Sequence, residues 1–119
     1  MLVKVLKSKL HRARVTDTKL HYSGSIAVDP ELMDAVGLVP YEAVFVADLN
    51  NGNRLETYVV PGKPGSREVI IMGAAANLIH PKDIVIIFSF ALLTQDQFAE
   101  HKPSVVALDE NNNIEKRIS

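Results

Sequence analysis

Apolar and polar positions alternate in short runs along this chain, and turn-forming residues separate the runs. Residues 2–15 mix Leu2, Val3, Val5, Leu6, Leu10 and Val15 with basic side chains, which predicts one or two strands. Asp29-Pro30 opens a short helix, because Asp caps free N–H groups and Pro suits the first helical position. Leu32, Met33 and Val36 form its apolar stripe, and Gly37 is placed to end it. Ala43–Leu49 and Arg54–Val60 read as two strands joined at Asn51-Gly52, a pair that tolerates positive φ and signals a tight hairpin. Residues 61–66, with two prolines and two glycines, form a loop. Glu68–Met72, Ile84–Phe90 and Ser104–Leu108 are further strands, the last followed by a polar tail. Thr94 and Gln97 have capping-box spacing and start a second short helix. Gly73-Ala74-Ala75-Ala76-Asn77 is a stretch of backbone with almost no side-chain bulk. Many short strands with two small helices predict a compact β-barrel.

Length and composition narrow the picture. With 119 residues there is room for one domain only. A chain of this size buries about two-thirds of its unfolded surface, so its core is modest and oligomerisation is a natural source of stability. No cysteine is present, which removes disulfide and thiolate chemistry and fits a reducing cytoplasm. Residues 1–19 hold Lys4, Lys7, Lys9, Arg12, Arg14 and Lys19 against Asp17 alone. No apolar segment follows them, so neither a signal peptide nor a membrane span is expected. The net charge of −1 argues against a general nucleic-acid binder, and the basic stretch lacks a helix motif or aromatic platform. His11, His21, His80 and His101 do not fall at metal-ligand spacing.

The most informative segment is Leu20-His21-Tyr22-Ser23-Gly24-Ser25-Ile26-Ala27-Val28-Asp29. Taken alone, a Gly-Ser step is usually a turn. Its neighbourhood is more specific. Lys7-Ser8-Lys9-Leu10-His11-Arg12-Ala13 precedes it. Asn51-Gly52-Asn53-Arg54-Leu55-Glu56-Thr57-Tyr58, Gly73-Ala74-Ala75-Ala76 and Asp83-Ile84-Val85-Ile86-Ile87 follow. In order and spacing these blocks resemble the pyruvoyl-dependent aspartate α-decarboxylases, over residues 1 to about 110.

The resemblance implies a mainly β chain, a six-stranded double-psi β-barrel with short helices, assembled as a homotetramer with active sites near subunit interfaces. It also implies self-processing into residues 1–24 and 25–119. Ser25 would attack the Gly24 carbonyl, elimination would release the first piece, and hydrolysis would leave a covalent pyruvoyl group at position 25. Glycine without a Cβ permits the strained backbone this needs, and a hydroxyl on the adjoining residue reacts with the advantage of proximity. Thr57 is the implied donor to the passing oxyanion. The pyruvoyl ketone would form a Schiff base with L-aspartate and take up the electrons left by CO2, work that side chains do not do unaided. The product is β-alanine for pantothenate supply.

Among the implied substrate residues, Arg54 offers a planar fork to a carboxylate, and Lys9 is a second cation. Tyr58 is the implied proton donor to Cα. Gly73, Ala74 and Ala75 let backbone N–H groups approach the substrate. His11 and His21 lie in matched blocks, with either a structural place or a role near the processing site. Whether a helper protein assists maturation is left open.

Strand alternation adds one check. Arg54, Glu56 and Tyr58 share a face, Arg54 and Tyr58 lie about 13 Å apart along it, and Thr57 points the other way. Either the strand bends, or these residues serve sites on different sides. Two departures from the family stand out: Met72 where Asn is common, and Ala47 where an aromatic is frequent. Met cannot donate a hydrogen bond. Two rival readings remain at this level: a non-enzymatic barrel module that binds a partner, and an unprocessed, inactive homologue.

Overall fold

The computed structural model describes every residue from Met1 to Ser119. In chain order the strands are β1 (Val3–Arg14), β2 (Asp17–Lys19), β3 (Ser25–Val28), β4 (Ala43–Asp48), β5 (Arg54–Pro61), β6 (Val69–Met72), β7 (Ile84–Leu93), β8 (Ser104–Leu108) and β9 (Ile114–Arg117). Helix α1 (Pro30–Val36) follows β3, α2 (Gln95–Ala99) follows β7, and Gly73–Asn77 is a 3-10 turn. The strands hydrogen-bond in the order β2-β6-β3-β5-β4-β7-β1-β8-β9.

The chain is therefore mainly β, as the alternation predicts, but it has nine strands rather than six, and the sheet does not close. The extra strands lie at its two ends. β2 is three residues long, and every residue of β9 is exposed. Neither carries the apolar alternation that marks a half-buried strand, which is why residues 114–117 read as tail. Most pairings are antiparallel; β1 with β8, β2 with β6 and β3 with β5 are parallel.

Alternation decides what is buried. Val44 and Val46 of β4, Val85 and Ile87 of β7, Leu10 of β1 and Val59 of β5 turn inward and meet Ile26, Val28 and Ile71. Helix α1 covers one end of this core with Leu32, Met33 and Val36. Gly37 ends the helix at φ 74°, a conformation that costs glycine nothing. Thr94 and Gln97 form the full capping box at α2.

Asp29 does more than cap α1. Its side chain is fully buried. Oδ1 accepts from the Glu31 N–H at 2.9 Å and the Gly65 N–H at 3.1 Å, and Oδ2 from the Arg67 N–H at 2.8 Å. The Arg67 guanidinium lies 3.6 Å away. Burial alone would raise the carboxyl pKa, but these three N–H groups and the Arg67 charge together hold it below its usual value. One carboxylate thus ties the exit of β3 to the 62–68 loop. Asp29→Ala should cost about 2–4 kcal/mol, since it removes a cap and strands buried donors. The stabilisation from Asp29 is complete above the ordinary carboxylate value and lost as pH falls through the lowered one. Urea titrations at several pH values should show the parent weakening on that acid side, with a shallower slope in the variant.

Candidate active site

The Gly24–Ser25 step falls where the chain enters β3. Gly24 is exposed, whereas Ser25 is 5% exposed and pairs with Met72 of β6. On the other side of β3, Ile26 pairs with Val59 of β5. Continuing that parallel register backward sets Gly24 alongside Thr57. A cleft of about 320 Å³ opens there, lined by Gly24, Thr57, Met72, Ala74, Ala75 and Leu78 among others.

Gly73 forms the floor beneath this step. It sits at φ 78°, in the left-handed region, and a Cβ on it would lie 2.6 Å from Gly24 Cα, 2.9 Å from Gly24 N and 3.0 Å from the Tyr22 carbonyl oxygen. Only a residue without a side chain allows the two backbones to meet this closely. The small-residue stretch seen in the sequence is thus a close approach of the 3-10 turn to the segment around Gly24.

The remaining candidate residues lie elsewhere. β5 pairs with β4 in unbroken register from Arg54 to Tyr58, so alternation holds without a bend or bulge. Leu55, Thr57 and Val59 are the less exposed set; Arg54, Glu56 and Tyr58 face outward. Arg54 lies beside Ala47, which also pairs with Ile86. Lys9 lies beside Phe88. A second cleft of about 350 Å³ collects Leu6, Lys9, Ala47, Arg54, Phe88 and Phe90. Neither Lys9 nor Arg54 is paired with a carboxylate. Tyr58 is 38% exposed, packs 6.3 Å from Tyr41 ring to ring, and lines neither cleft. The structure therefore brings Gly24, Thr57, Ala74 and Ala75 together over Gly73 and joins Lys9 to Arg54. It does not unite the two groups within one chain.

His11 lies on β1 where the strand bulges and Arg12 takes φ 65°. Its Nδ1 is buried without a hydrogen-bond partner. Burial, then the charges of Lys9 and Arg12, hold its pKa below the ordinary value and favour the neutral ring. His21 is exposed in the turn before Gly24. No group of His, Asp and Glu is arranged to hold a metal. The basic residues of the N-terminal segment are dispersed: Lys4 covers Phe90 at 4.9 Å, Lys7 pairs with Glu42 at 3.1 Å, and Lys19 covers Tyr22 at 5.1 Å.

The Asn51-Gly52 turn differs from expectation. Gly52 alone has positive φ, and a longer loop is closed by Asp48 N–H to Asn53 O at 2.8 Å and Gly52 N–H to Asp48 O at 2.9 Å. Its amides reach away from the hairpin. Asn51 Nδ2 and Asn53 Nδ2 donate to the Leu78 carbonyl at 3.1 and 2.9 Å, just past the 3-10 turn. These asparagines support the Gly24 cleft, a role hidden in sequence by their ordinary use in turns.

The model of the aspartate decarboxylase family matches residues 1–115 of the chain. The chain belongs to the aspartate decarboxylase family. Among similar family members, the aspartate 1-decarboxylase of Salinibacter ruber is 52% identical over 116 residues, covering 98% of this chain and 80% of that protein. The aspartate 1-decarboxylase of Caldicellulosiruptor saccharolyticus is 49% identical over 116 residues, 98% of this chain and 91% of that one. That of Bacteroides thetaiotaomicron is 47% identical over 113 residues, 95% and 97% respectively. This family member has no helix long and apolar enough to cross a membrane.

Proposed function

We propose that the chain is a self-processing L-aspartate α-decarboxylase, releasing β-alanine and CO2 with a pyruvoyl group made from its own Ser25. The observation that carries this reading is the seat of the Gly24–Ser25 step. Gly24 lines a cleft with Thr57, its backbone lies against Gly73 with no space for a side chain, and Ser25 is withdrawn from water. Relatives 47–52% identical carry the name of this activity.

The residues present fit a group formed at position 25. Its site is buried beside β6, and the small side chains of Ala74 and Ala75 leave the mouth open to a small amino acid. In the processing step, Ser25 Oγ bonds to the Gly24 carbonyl carbon as the C–N bond breaks, giving an ester and a free amine. Thr57 supplies the hydroxyl donor to the transient oxyanion, worth about 3–4 kcal/mol of barrier. Loss of the residue 25 Cα proton then expels the Gly24 carboxylate and separates 1–24 from 25–119. Water replaces the nitrogen as ammonia leaves, and a ketone remains at residue 25.

That ketone, once formed, supplies an electron sink for the pair left on the substrate as CO2 departs. Arg54 and Lys9 hold the substrate carboxylates by charge-assisted hydrogen bonds. The Tyr58 hydroxyl returns a proton to Cα. The N–H groups of Gly73, Ala74 and Ala75 complete the binding surface. Since Arg54 and Tyr58 line no part of the Gly24 cleft and Lys9 sits with Arg54 in the second one, we infer a homotetramer in which active sites form near subunit contacts. The aromatic surface of Phe45, Phe88 and Phe90 beside Lys9 is consistent with such a contact. The finer fold description, a single 1–119 domain in which six of the nine strands make a double-psi barrel, draws support from the parallel pairs β1–β8 and β3–β5. Supply of β-alanine for pantothenate is a cytoplasmic task, and the cytoplasm is the compartment proposed for the enzyme.

Denaturing mass spectrometry of the purified protein tests the reading. Two pieces split after Gly24 are expected, the larger starting with a ketone, from a preparation that makes β-alanine and CO2 from L-aspartate. One intact chain without activity would overturn it. That result would favour the unprocessed-homologue reading, with Met72 opposite Ser25 as the side chain to replace first.

A further inference from the structure

Asp48 ends β4 with 3% of its surface exposed. Its Oδ1 accepts the Asn50 N–H at 2.8 Å. Its Oδ2 is buried and finds no donor in the chain. Asp48 pairs with Val85 of β7 and Leu49 N–H bonds to Ile84 O, so Asp83, just before Ile84, brings its carboxyl beside Asp48. Asp83 Oδ2 in turn accepts the His80 N–H at 3.0 Å and lies 3.7 Å from His80 Nδ1. Two ionised carboxylates are acceptors only and repel. A single proton between them gives Asp48 Oδ2 the bond it lacks.

This pair lies at the root of the loop that supports the Gly24 cleft. From that root, Leu49 N–H donates to Ile84 O at 2.8 Å, and Asn50 Oδ1 accepts the Ile84 N–H at 2.8 Å. Farther along, the Asn51 and Asn53 amides hold the Leu78 carbonyl. Leu78 N–H and Ile79 N–H bond to Ala75 O at 2.9 and 3.1 Å, so the hold continues into the 3-10 turn. Leu78 and Ala75 both line the cleft.

We propose that a proton shared by Asp48 and Asp83 locks the 48–53 loop onto the Gly73–Leu78 turn, making Asp48 a positioning residue for the cleft and its geometry dependent on pH. The inference uses the proposed processing reaction only to give the cleft its importance; the lock itself is independent of it. Burial first, and then Asp83, raise the Asp48 pKa, and the Asn50 and Asn51 N–H groups only partly oppose this. Burial also works against ionisation of Asp83, but the hydrogen bond from Asp48 and the His80 N–H, with the His80 charge when that ring is protonated, outweigh it and favour the ionised partner. No other charge faces the pair. The turn before β5 directs the Asn53 amide to the Leu78 carbonyl instead, β7 begins with Ile84 and Val85, and the link after β1 brings the Val15 N–H to the Asp83 carbonyl. Lys82 lines a separate groove with Arg14, Thr16 and Glu110, and Arg54 lies in the outer cleft.

The locked form carries one more proton than the released form. It therefore loses ground as pH rises from the ordinary carboxylate range to the raised Asp48 value, by up to about tenfold per pH unit, and then levels off. Hydrogen exchange of the intact protein, corrected for the intrinsic rate at each pH, reads this directly. In the parent, protection of residues 50–53 and 78–84 should fall over that window. Asp48→Asn keeps the acceptor for Asn50 and gives Asp83 a permanent donor, so its protection should stay flat with pH. Asp48→Ala should be unprotected at every pH. Equal pH profiles in the parent and Asp48→Asn, or a side-chain carbon resonance of Asp48 that titrates in the ordinary range, would overturn the proposal. None of these readouts needs catalysis, so the lock can fail while the decarboxylase reading stands, and the reverse.

Discussion

Ser25→Ala should leave the protein as one uncut chain with no decarboxylase activity. The substitution removes a single oxygen from a side chain that is 5% exposed and that lies in the β3 ladder opposite Met72. A methyl group tolerates that environment, so the variant should fold and melt close to the uncut parent. The chemistry has no substitute, however. The attacking hydroxyl belongs to the same chain as the carbonyl, and that arrangement is worth many orders of magnitude over attack by water. Denaturing mass spectrometry after days of incubation should show the full-length mass alone, with no β-alanine formed from L-aspartate. A variant that still splits after Gly24, or still evolves CO2, would sink the mechanism.

Gly73→Ala should be nearly as severe, for a reason of space. The new methyl would sit 2.6 Å from Gly24 Cα, inside any real contact distance, with further backbone atoms at 2.9 and 3.0 Å. No flexible side-chain end is there to yield; two backbones must part. The φ of 78° adds about 1–2 kcal/mol, as it does for any residue with a Cβ. Moving the carbonyl of Gly24 by about 1 Å relative to Ser25 should slow cleavage on the order of 100-fold. Gly52 provides the comparison. It has the same φ of 78°, and a Cβ there would have nothing within 4 Å. Gly52→Ala should therefore show the conformational cost alone, with cleavage close to normal. Cleavage half-times for both variants, followed by gel or mass, separate the two effects. Equal rates would show that the contact with Gly24 is unimportant.

Much of this arrangement is legible along the chain because it is local. The Asp29-Pro30 start and Gly37 stop of α1 need only neighbours in sequence. The separation of Thr57 from Arg54 and Tyr58 follows from two-residue alternation, and the unbroken β4–β5 register decides that no bulge undoes it. The rest depends on partners far apart in sequence. Asp29 reads as a cap, yet two of its donors are Gly65 and Arg67. Asp83 opens one of the matched blocks and Asp48 belongs to none, and only the fold makes the two neighbours. Gly73 reads as one of several small residues; that it lies against Gly24 needs β6 set beside β3. β9 leaves no apolar signal because all of its side chains face water.

The position of β1 bears on what the proposed cleavage would do to the protein. This strand lies in the interior of the sheet, between β7 and β8, and contributes Leu10 and Ala13 to the core. The proposed scission would end its covalent link to the rest, while its ladders and apolar contacts would still clamp it in place. An uncut chain refolds as one molecule, but a chain cut after Gly24 would have to find the piece carrying β1 and β2 by diffusion. The proposed maturation would thus turn a reversible folding equilibrium into a concentration-dependent reassembly, and harsh unfolding of the cut form would become a loss that dilution makes permanent.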